Sequence, residues 1–220
     1  MNRRASGAAT VSLAEQAYGV LEQKLVALEL PPGEIVSEGQ LIALTGLGRT
    51  PVREAMQRLA QQDLIQVMPR KGLKVTPVSS SAMLQILETR RALERVIVHR
   101  AALNARDEQR GSLAAIARDL ATAYDNFEAY LRLESELYGL LDQCAANAVA
   151  SASVAPLRSH CRRFWHLHRQ RMHLQLSDVI SFQSKLARLV ARRDFNGAKK
   201  AVDGLIAVIE RLAAGTERTG

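Results

Sequence analysis

Residues 49–54 read Arg-Thr-Pro-Val-Arg-Glu, and this stretch decides the fold of the first third of the chain. Thr50 is a favourable helix N-cap, and Pro51 suits the first helical position because the amide it lacks has no partner there. The apolar residues behind it recur at helical spacing, namely Val52, Ala55, Met56 and Leu59. We therefore expect an amphipathic helix that begins after Thr50 and ends near Gln62.

The polar face of this helix carries Arg49, Arg53 and Gln57, which are four residues apart and share one side. Arginine hydrogen-bonds guanine in the DNA major groove, and glutamine hydrogen-bonds adenine there. The net charge of +8 has the sign that a polyanionic partner requires, although many basic proteins bind no nucleic acid. The helix therefore suits a DNA major groove. Whether it binds there depends on the fold that the flanking sequence forms.

The neighbouring sequence predicts several short elements. Apolar spacing indicates a first helix over 13–28, and a second helix runs over 37–45 with its first residue as the cap. Extended pieces over 64–68 and 73–76 follow the third helix, joined by the basic turn 69–72. Three helices and a basic hairpin in this order are typical of a winged helix-turn-helix.

The composition favours packed helices and excludes several classes of protein. Of 220 residues, 47% are apolar, which is enough for a large hydrophobic core, and only 4% are aromatic. No apolar stretch approaches the roughly 20 residues that span a bilayer, and Met1–Thr10 lacks the apolar core of a signal peptide. Two cysteines, Cys144 and Cys161, indicate a reducing cytoplasm rather than a disulfide framework.

The second half of the chain shows no strand signal after Ala82. Six helices are predicted there, over 82–104, 108–123, 125–145, 147–173, 176–192 and 195–213. The fold class is therefore mainly α, with a winged helix-turn-helix followed by an all-helical bundle. Four parts are predicted: a disordered arm (1–12), a winged helix-turn-helix DNA-binding domain (13–77), a linker (78–82) and a helical effector-binding and dimerisation domain (83–214).

The first half resembles the GntR family of bacterial transcription regulators. The residues that carry the resemblance are Leu30-Pro31-Pro32-Gly33, Ser37-Glu38, Leu41, Arg49 to Ala55, Arg58-Leu59 and Pro69-Arg70-Lys71-Gly72. The resemblance implies DNA contacts from Arg49 and Arg53, with Thr50 on a phosphate. It places the tip of the wing at Arg70, Lys71 and Gly72. Many members have a basic residue where this chain has Gly39, so that contact is absent here.

The second half resembles the FCD ligand-sensing domain of the FadR-like branch of that family. The matching landmarks are Arg90 to Glu94, Asn147, Ala191 to Asp194 and Ala198. Many FCD domains hold a metal ion with an aspartate and three histidines, and the landmarks put Glu134, Tyr138, Gln183 and Leu205 at these four positions. Leucine is no ligand, and tyrosine and glutamine are poor ones for a transition metal. The resemblance therefore implies a site without the usual metal, and we expect no cofactor.

Polar residues on apolar helix faces point to an interior site independently. Arg90, Glu134 and Gln183 each lie among apolar neighbours at helical spacing. Burying such groups without partners costs free energy, so they pair with each other or await a ligand. One alternative is a structural Arg90–Glu134 ion pair or network. The other is an effector pocket in which Arg90 anchors a carboxylate, while Tyr138 and Gln183 hydrogen-bond it.

The basic segment between Gln143 and Ser177 has no acidic residue. Its histidines are His160, His166, His168 and His173. These are expected to form a solvated or partly packed basic face, with the alternative that His168 points into the cavity and Trp165 walls it. The arginines between Arg158 and Arg171 are expected on the surface, where an anionic effector or acidic partner could meet them.

These observations predict a cytoplasmic, sequence-specific transcription regulator that is not an enzyme. We expect a homodimer, whose two-fold symmetry would pair two recognition helices with a palindromic double-stranded DNA operator, and no membrane partner. A small organic acid in the helical domain is expected to modulate operator affinity. Two alternatives remain, an effector-independent regulator with a degenerate pocket and a sensor of an acyl thioester.

Overall fold

The computed structural model describes residues 11–68, 72–168 and 173–216 of the chain. The chain forms two compact units, an N-terminal unit that ends at Val78 and a helical unit that begins at Ser79. Within the described ranges the structure has nine helices and three short strands, which confirms a mainly α protein. No helix in these ranges combines the length and apolar character that crossing a bilayer requires.

The N-terminal unit is a winged helix-turn-helix. Its elements are α1 (Leu13–Val26), β1 (Ile35–Val36), α2 (Glu38–Thr45), α3 (Arg49–Gln61), β2 (Ile65–Met68) and β3 (Gly72–Val75). The strands form an antiparallel sheet in the order β1-β3-β2. The sequence predicts only β2 and β3, because the two residues of β1 are too few to show an alternating pattern.

One apolar core joins the three helices to the sheet. α3 contributes Val52, Ala55 and Leu59, which are all buried, while Met56 packs at the edge of the core. This confirms the apolar face predicted for α3. α1, α2 and the sheet region supply the other core residues, which include Ala17, Tyr18, Leu21, Leu25, Leu41, Leu64, Leu73 and Val75.

The start of α2 follows the sequence prediction. The Ser37 side chain accepts a hydrogen bond from the Gln40 amide, and the Gln40 side chain accepts one from the Ser37 amide. This capping box satisfies two amides that would otherwise lack partners. Gly46 ends the helix in the left-handed region with φ of 67°, a conformation that glycine adopts without strain.

The start of α3 differs from the sequence prediction. The helix begins at Arg49 after an extended Gly48, so Thr50 lies inside the first turn and is not the N-cap. The tight turn through Gly48 allows the helix to begin earlier than the threonine suggests. The first intrahelical hydrogen bond joins the Val52 amide to the Gly48 carbonyl, so Pro51 still removes no bond from the helix.

Gly72 is required by the backbone at the start of β3. Its φ is +103°, and a Cβ atom there would lie 2.7 Å from the Val36 carbonyl oxygen. We expect Gly72→Ala to destabilise the N-terminal unit by about 1–3 kcal/mol through this backbone strain. Gly19 of α1 is the control, because a Cβ there meets nothing within 4 Å and Gly19→Ala stabilises a helix by about 0.5–1 kcal/mol. Urea unfolding of both variants measures the contrast, and equal stability of the two contradicts the account.

The helical unit contains six helices in its described residues. They are α4 (Ser80–Asn104), α5 (Asp107–Leu120), α6 (Phe127–Ala145), α7 (Ala148–His168), α8 (His173–Ala191) and α9 (Phe195–Thr216). The predicted six-helix bundle is therefore confirmed. The sequence predicts a helix over 147–173, and residues 169–172 of that range lie outside the described residues. α4 packs against α6, α7 and α9, which makes it the central helix of the bundle.

The boundary between the units is shorter than the linker predicted over 78–82. α4 already begins at Ser80, because the Ser79 side chain accepts a hydrogen bond from the Ala82 amide and caps the helix. At the other end, Ser12 caps α1 by accepting from the Glu15 amide, so the last residue of the predicted arm is ordered. Residues 1–10 of the predicted arm lie outside the described residues.

Candidate functional sites

The exposed face of α3 gathers the polar residues that the sequence singles out. Arg49, Thr50, Arg53 and Gln57 are all exposed, and the opposite face of the helix is buried. The side chains of Arg49 and Arg53 keep 72% and 59% of their surface exposed. Two long cations that lie one turn apart on an accessible helix are free to meet a polyanion.

Glu38 at the start of α2 joins these two arginines. The Nε atom of Arg53 donates to both carboxylate oxygens of Glu38, at 3.0 and 3.1 Å. Arg49 Nε lies 3.4 Å from the same carboxylate. The sequence places Glu38 in the motif but gives it no role, because its spacing of fifteen residues from Arg53 shows no periodicity. Glu38 therefore orients the arginine face and partly neutralises it.

Gly39 follows Glu38 on the exposed side of α2. A Cβ atom at Gly39 meets only the Ser37 hydroxyl, at 3.9 Å. A larger side chain therefore fits, so the departure at Gly39 has no steric cause in the fold. Of the predicted wing residues, Gly72 begins β3, whereas Arg70 and Lys71 lie outside the described residues.

A cluster of buried charged and polar side chains occupies the helical unit, and Arg90 of α4 is part of it. Arg90 is 2% exposed, and its Nη2 atom donates to the Tyr138 hydroxyl at 2.8 Å. Its Nε atom donates to Glu94 at 3.2 Å, one turn along the same helix. The structure thus brings together Arg90 and Tyr138 as the sequence analysis expects, but adds Glu94.

Arg158 of α7 is the second cation of this buried cluster. Its Nε and Nη2 atoms donate to the two carboxylate oxygens of Glu94, at 2.8 and 2.9 Å. Its Nη1 atom donates to Asp142 at 2.7 Å. The predicted surface location of the arginines is wrong for Arg158, which is 4% exposed, and for Arg163, which is fully buried. Bidentate pairing with Glu94 compensates the burial of Arg158.

Glu134 has a different partner from the one suggested by the sequence. Its carboxylate accepts from Arg162 Nε at 2.6 Å, and Arg90 pairs with Glu94, so the direct Arg90–Glu134 ion pair is wrong, whereas the alternative of a buried polar network agrees with these contacts. Glu94 lies closer to Arg90 along α4, and α7 brings Arg162 to Glu134. The sequence shows which charges lie on apolar faces, but the packing of α4, α6 and α7 decides which of them meet.

Burial shifts the ionisation of the cluster in defined directions. Burial raises the pKa of Tyr138 to about 12, although the nearby charge of Arg90 opposes the rise, so the hydroxyl stays protonated. Burial also raises the pKa of Glu94, but the attraction of Arg158 and then of Arg90 outweighs it, and the net pKa is lowered. Glu94 is therefore a carboxylate held between two cations.

Gln183 of α8 contributes an acceptor without a donor. Gln183 is 2% exposed, and its side chain lies close to Tyr130, a neighbour of Glu134 and Tyr138. The Oε1 atom of Gln183 is buried and has no hydrogen-bond partner within the described residues. Leu205, the fourth position of the implied metal site, is buried at 2% exposure and offers no donor atom.

Two histidines of α7, His166 and His168, pack against aromatic rings. The half-buried His168 ring lies 4.4 Å from the Phe164 ring on the same helix. The His166 ring meets Phe127 edge-on at 5.2 Å. Trp165 is buried, as a cavity wall requires. The role of His168 in effector binding stays a prediction.

Both halves of the chain match known families. Residues 13–75 match the family described as bacterial regulatory proteins, gntR family. Residues 85–208, more than half of the chain, match the FCD domain. These matches cover the N-terminal unit and most of the helical unit respectively.

Individual relatives agree with these matches. An uncharacterized HTH-type transcriptional regulator in an unstable DNA locus of Streptomyces ambofaciens is 42% identical over 77 residues, which is 35% of this chain and 33% of that protein. The HTH-type transcriptional repressor RspR of Escherichia coli K12 is 26% identical over 147 residues, 66% of this chain and 64% of that protein. The chain thus spans from a third to less than two thirds of the length of these relatives.

A solved structure shares the fold. The E. coli protein McbR/YncC superposes with a TM-score of 0.82 at 19% identity, over 94% of this chain and 100% of that chain. At this identity the likeness shows the fold alone.

Proposed function

The chain belongs to the gntR family of bacterial regulatory proteins, which are DNA-binding transcription regulators. We propose that it binds a palindromic operator as a homodimer. We further propose that a small organic acid modulates its affinity for this operator. The relatives are transcription regulators rather than enzymes, so we assign no catalytic residue. The site of action in this proposal is the cytoplasm. The observation that carries the DNA half is the exposed arginine face of α3 over a buried apolar face.

Each residue of that face has a proposed contact. Arg49 and Arg53 meet base edges or adjacent phosphates in the major groove, and Gln57 meets a base farther along the helix. Thr50 donates to a phosphate. Arg70 and Lys71 of the wing reach the minor groove or the backbone, with Gly72 allowing the turn. Two-fold symmetry repeats these contacts on the second half-site.

Selection of duplexes from a random-sequence pool tests the DNA half. The full chain is mixed with the pool, bound duplexes are recovered and sequenced, and the cycle is repeated. We expect enrichment of an inverted repeat whose half-sites lie about one helical turn apart. A pool that remains random after several cycles, with folded protein, contradicts the proposal.

Glu38 is expected to restrain DNA binding. Because Glu38→Gln removes a negative charge beside Arg49 and Arg53, we expect affinity for a random duplex to rise about two- to tenfold, as electrostatic phosphate binding predicts. The preference for the selected operator over the random duplex falls, since Arg53 loses the carboxylate that orients its guanidinium group. Glu54→Gln is the control, because Glu54 is exposed on α3 and its substitution removes the same charge as Glu38→Gln. Equal effects of both variants in fluorescence anisotropy contradict a specific role of Glu38.

The buried cluster supports the effector half of the proposal. Arg90, Tyr138, Glu134 and Gln183 are the proposed effector contacts. An acceptor such as Gln183 Oε1, buried without a partner, calls for a hydrogen-bond donor on the effector. An effector that combines a carboxylate with a hydroxyl or amino group meets both the cations of the cluster and Gln183.

The donor set does not fit a transition metal. Leu205 has no donor atom, and the Tyr138 hydroxyl stays protonated and accepts from Arg90. Glu134 is already paired with Arg162. The cations Arg90 and Arg162 also oppose a second positive charge in this region. We therefore propose that the site works without the family's usual metal.

A thermal-shift screen tests the effector half. The probes are lactate, propionate, malate and succinate, with the neutral amide of each acid as its control. A ligand at 100 times its dissociation constant stabilises by about 2.7 kcal/mol, which raises the melting temperature by several degrees. We expect a hydroxy acid to stabilise more than its deoxy partner, and Arg90→Lys or Tyr138→Phe to reduce the shift. If no acid differs from its amide, the effector-independent alternative replaces this half, and the DNA half stands.

A further inference from the structure

A cleft on the surface of the helical unit lies between α5 and α8 and shares no residue with the buried cluster. It has a volume of about 560 Å³. Its lining residues are Asp107, Arg110, Gly111, Ala114, Arg118, Arg188, Ala191 and Arg192. Four cations therefore stand against one anion, over a floor of small residues.

The spacing of the arginines sets two rows of charge across the cleft. Arg110 and Arg118 are eight residues apart on α5, so they lie two turns apart on one face. Arg188 and Arg192 are four residues apart near the end of α8. The small residues between the rows, Gly111 among them, leave room for a ligand to approach the helix backbones.

The only anion of the cleft lining is already engaged. Asp107 accepts from Arg110 Nη1 at 2.9 Å, and Arg110 Nε donates to the Ala191 carbonyl at 2.7 Å. Arg118, Arg188 and Arg192 are exposed, and in the part of the chain that the structure describes their guanidinium groups have no ion pair or hydrogen bond. Three uncompensated cations thus surround one concave surface.

The two walls of the cleft are held in place before any ligand binds. The buried Ser184 hydroxyl donates to the Ala117 carbonyl at 2.7 Å and ties α8 to α5. The bond from Arg110 to Ala191 ties them a second time near the end of α8. Because the walls are already fixed, less conformational entropy of the protein is lost when a ligand binds.

We propose that this cleft binds a small organic polyphosphate of the nucleoside triphosphate class. Arginine forks bind phosphate oxygens in pairs, and three forks around one cleft match a chain of phosphates rather than one carboxylate. The volume lies within the usual range of small-molecule sites, about 300–1,000 Å³. A concave site suits a compact ligand better than the outer surface of a duplex.

Isothermal titration of the full chain in EDTA tests this site with three probes, ATP, inorganic tripolyphosphate and inorganic phosphate. We expect both triphosphates to bind at least about tenfold more tightly than inorganic phosphate, with affinities that fall as salt rises. Equal affinity of ATP and tripolyphosphate assigns the binding to the phosphate chain. Tighter binding of ATP adds a nucleoside contact. Both results support the proposal.

Two double variants matched in charge separate the cleft from the net charge of the chain. Arg118→Gln with Arg192→Gln is expected to lower tripolyphosphate affinity at least about tenfold, since two of three free cations are lost. Lys200→Gln with Arg211→Gln removes two exposed cations from α9 and is expected to leave the affinity within about twofold.

Three outcomes overturn the proposal. The first is no triphosphate binding at millimolar concentration by folded protein. The second is an equal loss in both double variants, which assigns the binding to net charge. The third is a cleft variant that loses duplex DNA affinity while the wild type ignores triphosphate, which makes the surface a DNA-backbone contact.

Discussion

Arg158→Ala is expected to destabilise the helical unit by about 3–5 kcal/mol, because it leaves a buried carboxylate without its main partner. Arg158 holds both oxygens of Glu94 at 2.8 and 2.9 Å and also contacts Asp142. After its removal, Arg90 Nε at 3.2 Å is the donor that remains on Glu94 among the described residues. Chemical denaturation followed by circular dichroism measures the loss.

The control is an arginine–glutamate pair on the surface of the same unit. Arg132 donates to Glu136 at 3.0 Å, with both side chains largely exposed. Arg132→Ala is expected to cost less than about 1 kcal/mol. Adding Glu94→Gln to Arg158→Ala is expected to recover part of the loss, because the orphaned charge disappears. A loss for Arg158→Ala as small as that for Arg132→Ala contradicts the buried network.

Acid dependence gives the same prediction a second readout. The pKa of Glu94 is lowered in the folded chain from an ordinary value of 4.5, so its stabilisation is present above that value. The stabilisation is lost as pH falls through the folded pKa. Without Arg158 the buried carboxyl favours its neutral form. We therefore expect the difference in unfolding free energy between wild type and Arg158→Ala to shrink as pH falls below 4.5 toward the lowered pKa of Glu94.

Arg53→Ala is expected to weaken binding to the selected operator by about 1–3 kcal/mol, which is roughly five- to 150-fold. The side chain is exposed on α3 and supports no buried contact, so the fold is expected to survive. Arg58→Ala is the control on the same helix. Arg58 lies over the Tyr18 ring at 3.8 Å and pairs with Glu15, away from the proposed DNA face. Similar losses in both variants at equal stability contradict the assigned role of Arg53.

Much of the N-terminal unit could be predicted from the sequence because its signals are local. The periodic apolar residues of α3 predict the buried face, and Ser37 predicts the start of α2. The start of α3 could not be predicted from Thr50, since the extended Gly48 before it takes the N-cap position and the helix begins at Arg49. The role of Glu38 could not be predicted from the sequence, because its contact with Arg53 depends on how α2 crosses α3.

The buried cluster could be predicted only in part. Apolar neighbours correctly mark Arg90, Glu134 and Gln183 as buried. Their partners depend on helix packing, which one sequence does not contain. Arg158 carries a usable signal, because it lies four residues after Val154 and three before Cys161, both of which are buried. The abundance of arginine in that segment suggests a solvated face, so the buried position of Arg158 between Val154 and Cys161 is easily missed.

The measurement that bears most directly on this account is the ratio of affinities for the selected operator and a scrambled duplex, at one fixed salt concentration. For the wild-type chain we expect a ratio of at least about 10³, as specific regulators show. For Arg53→Ala we expect operator affinity to fall about five- to 150-fold and scrambled-duplex affinity to fall by a smaller factor, because one phosphate-binding cation is lost, so the ratio falls. A folded Arg53→Ala variant that keeps the wild-type ratio contradicts the claim that α3 reads the operator.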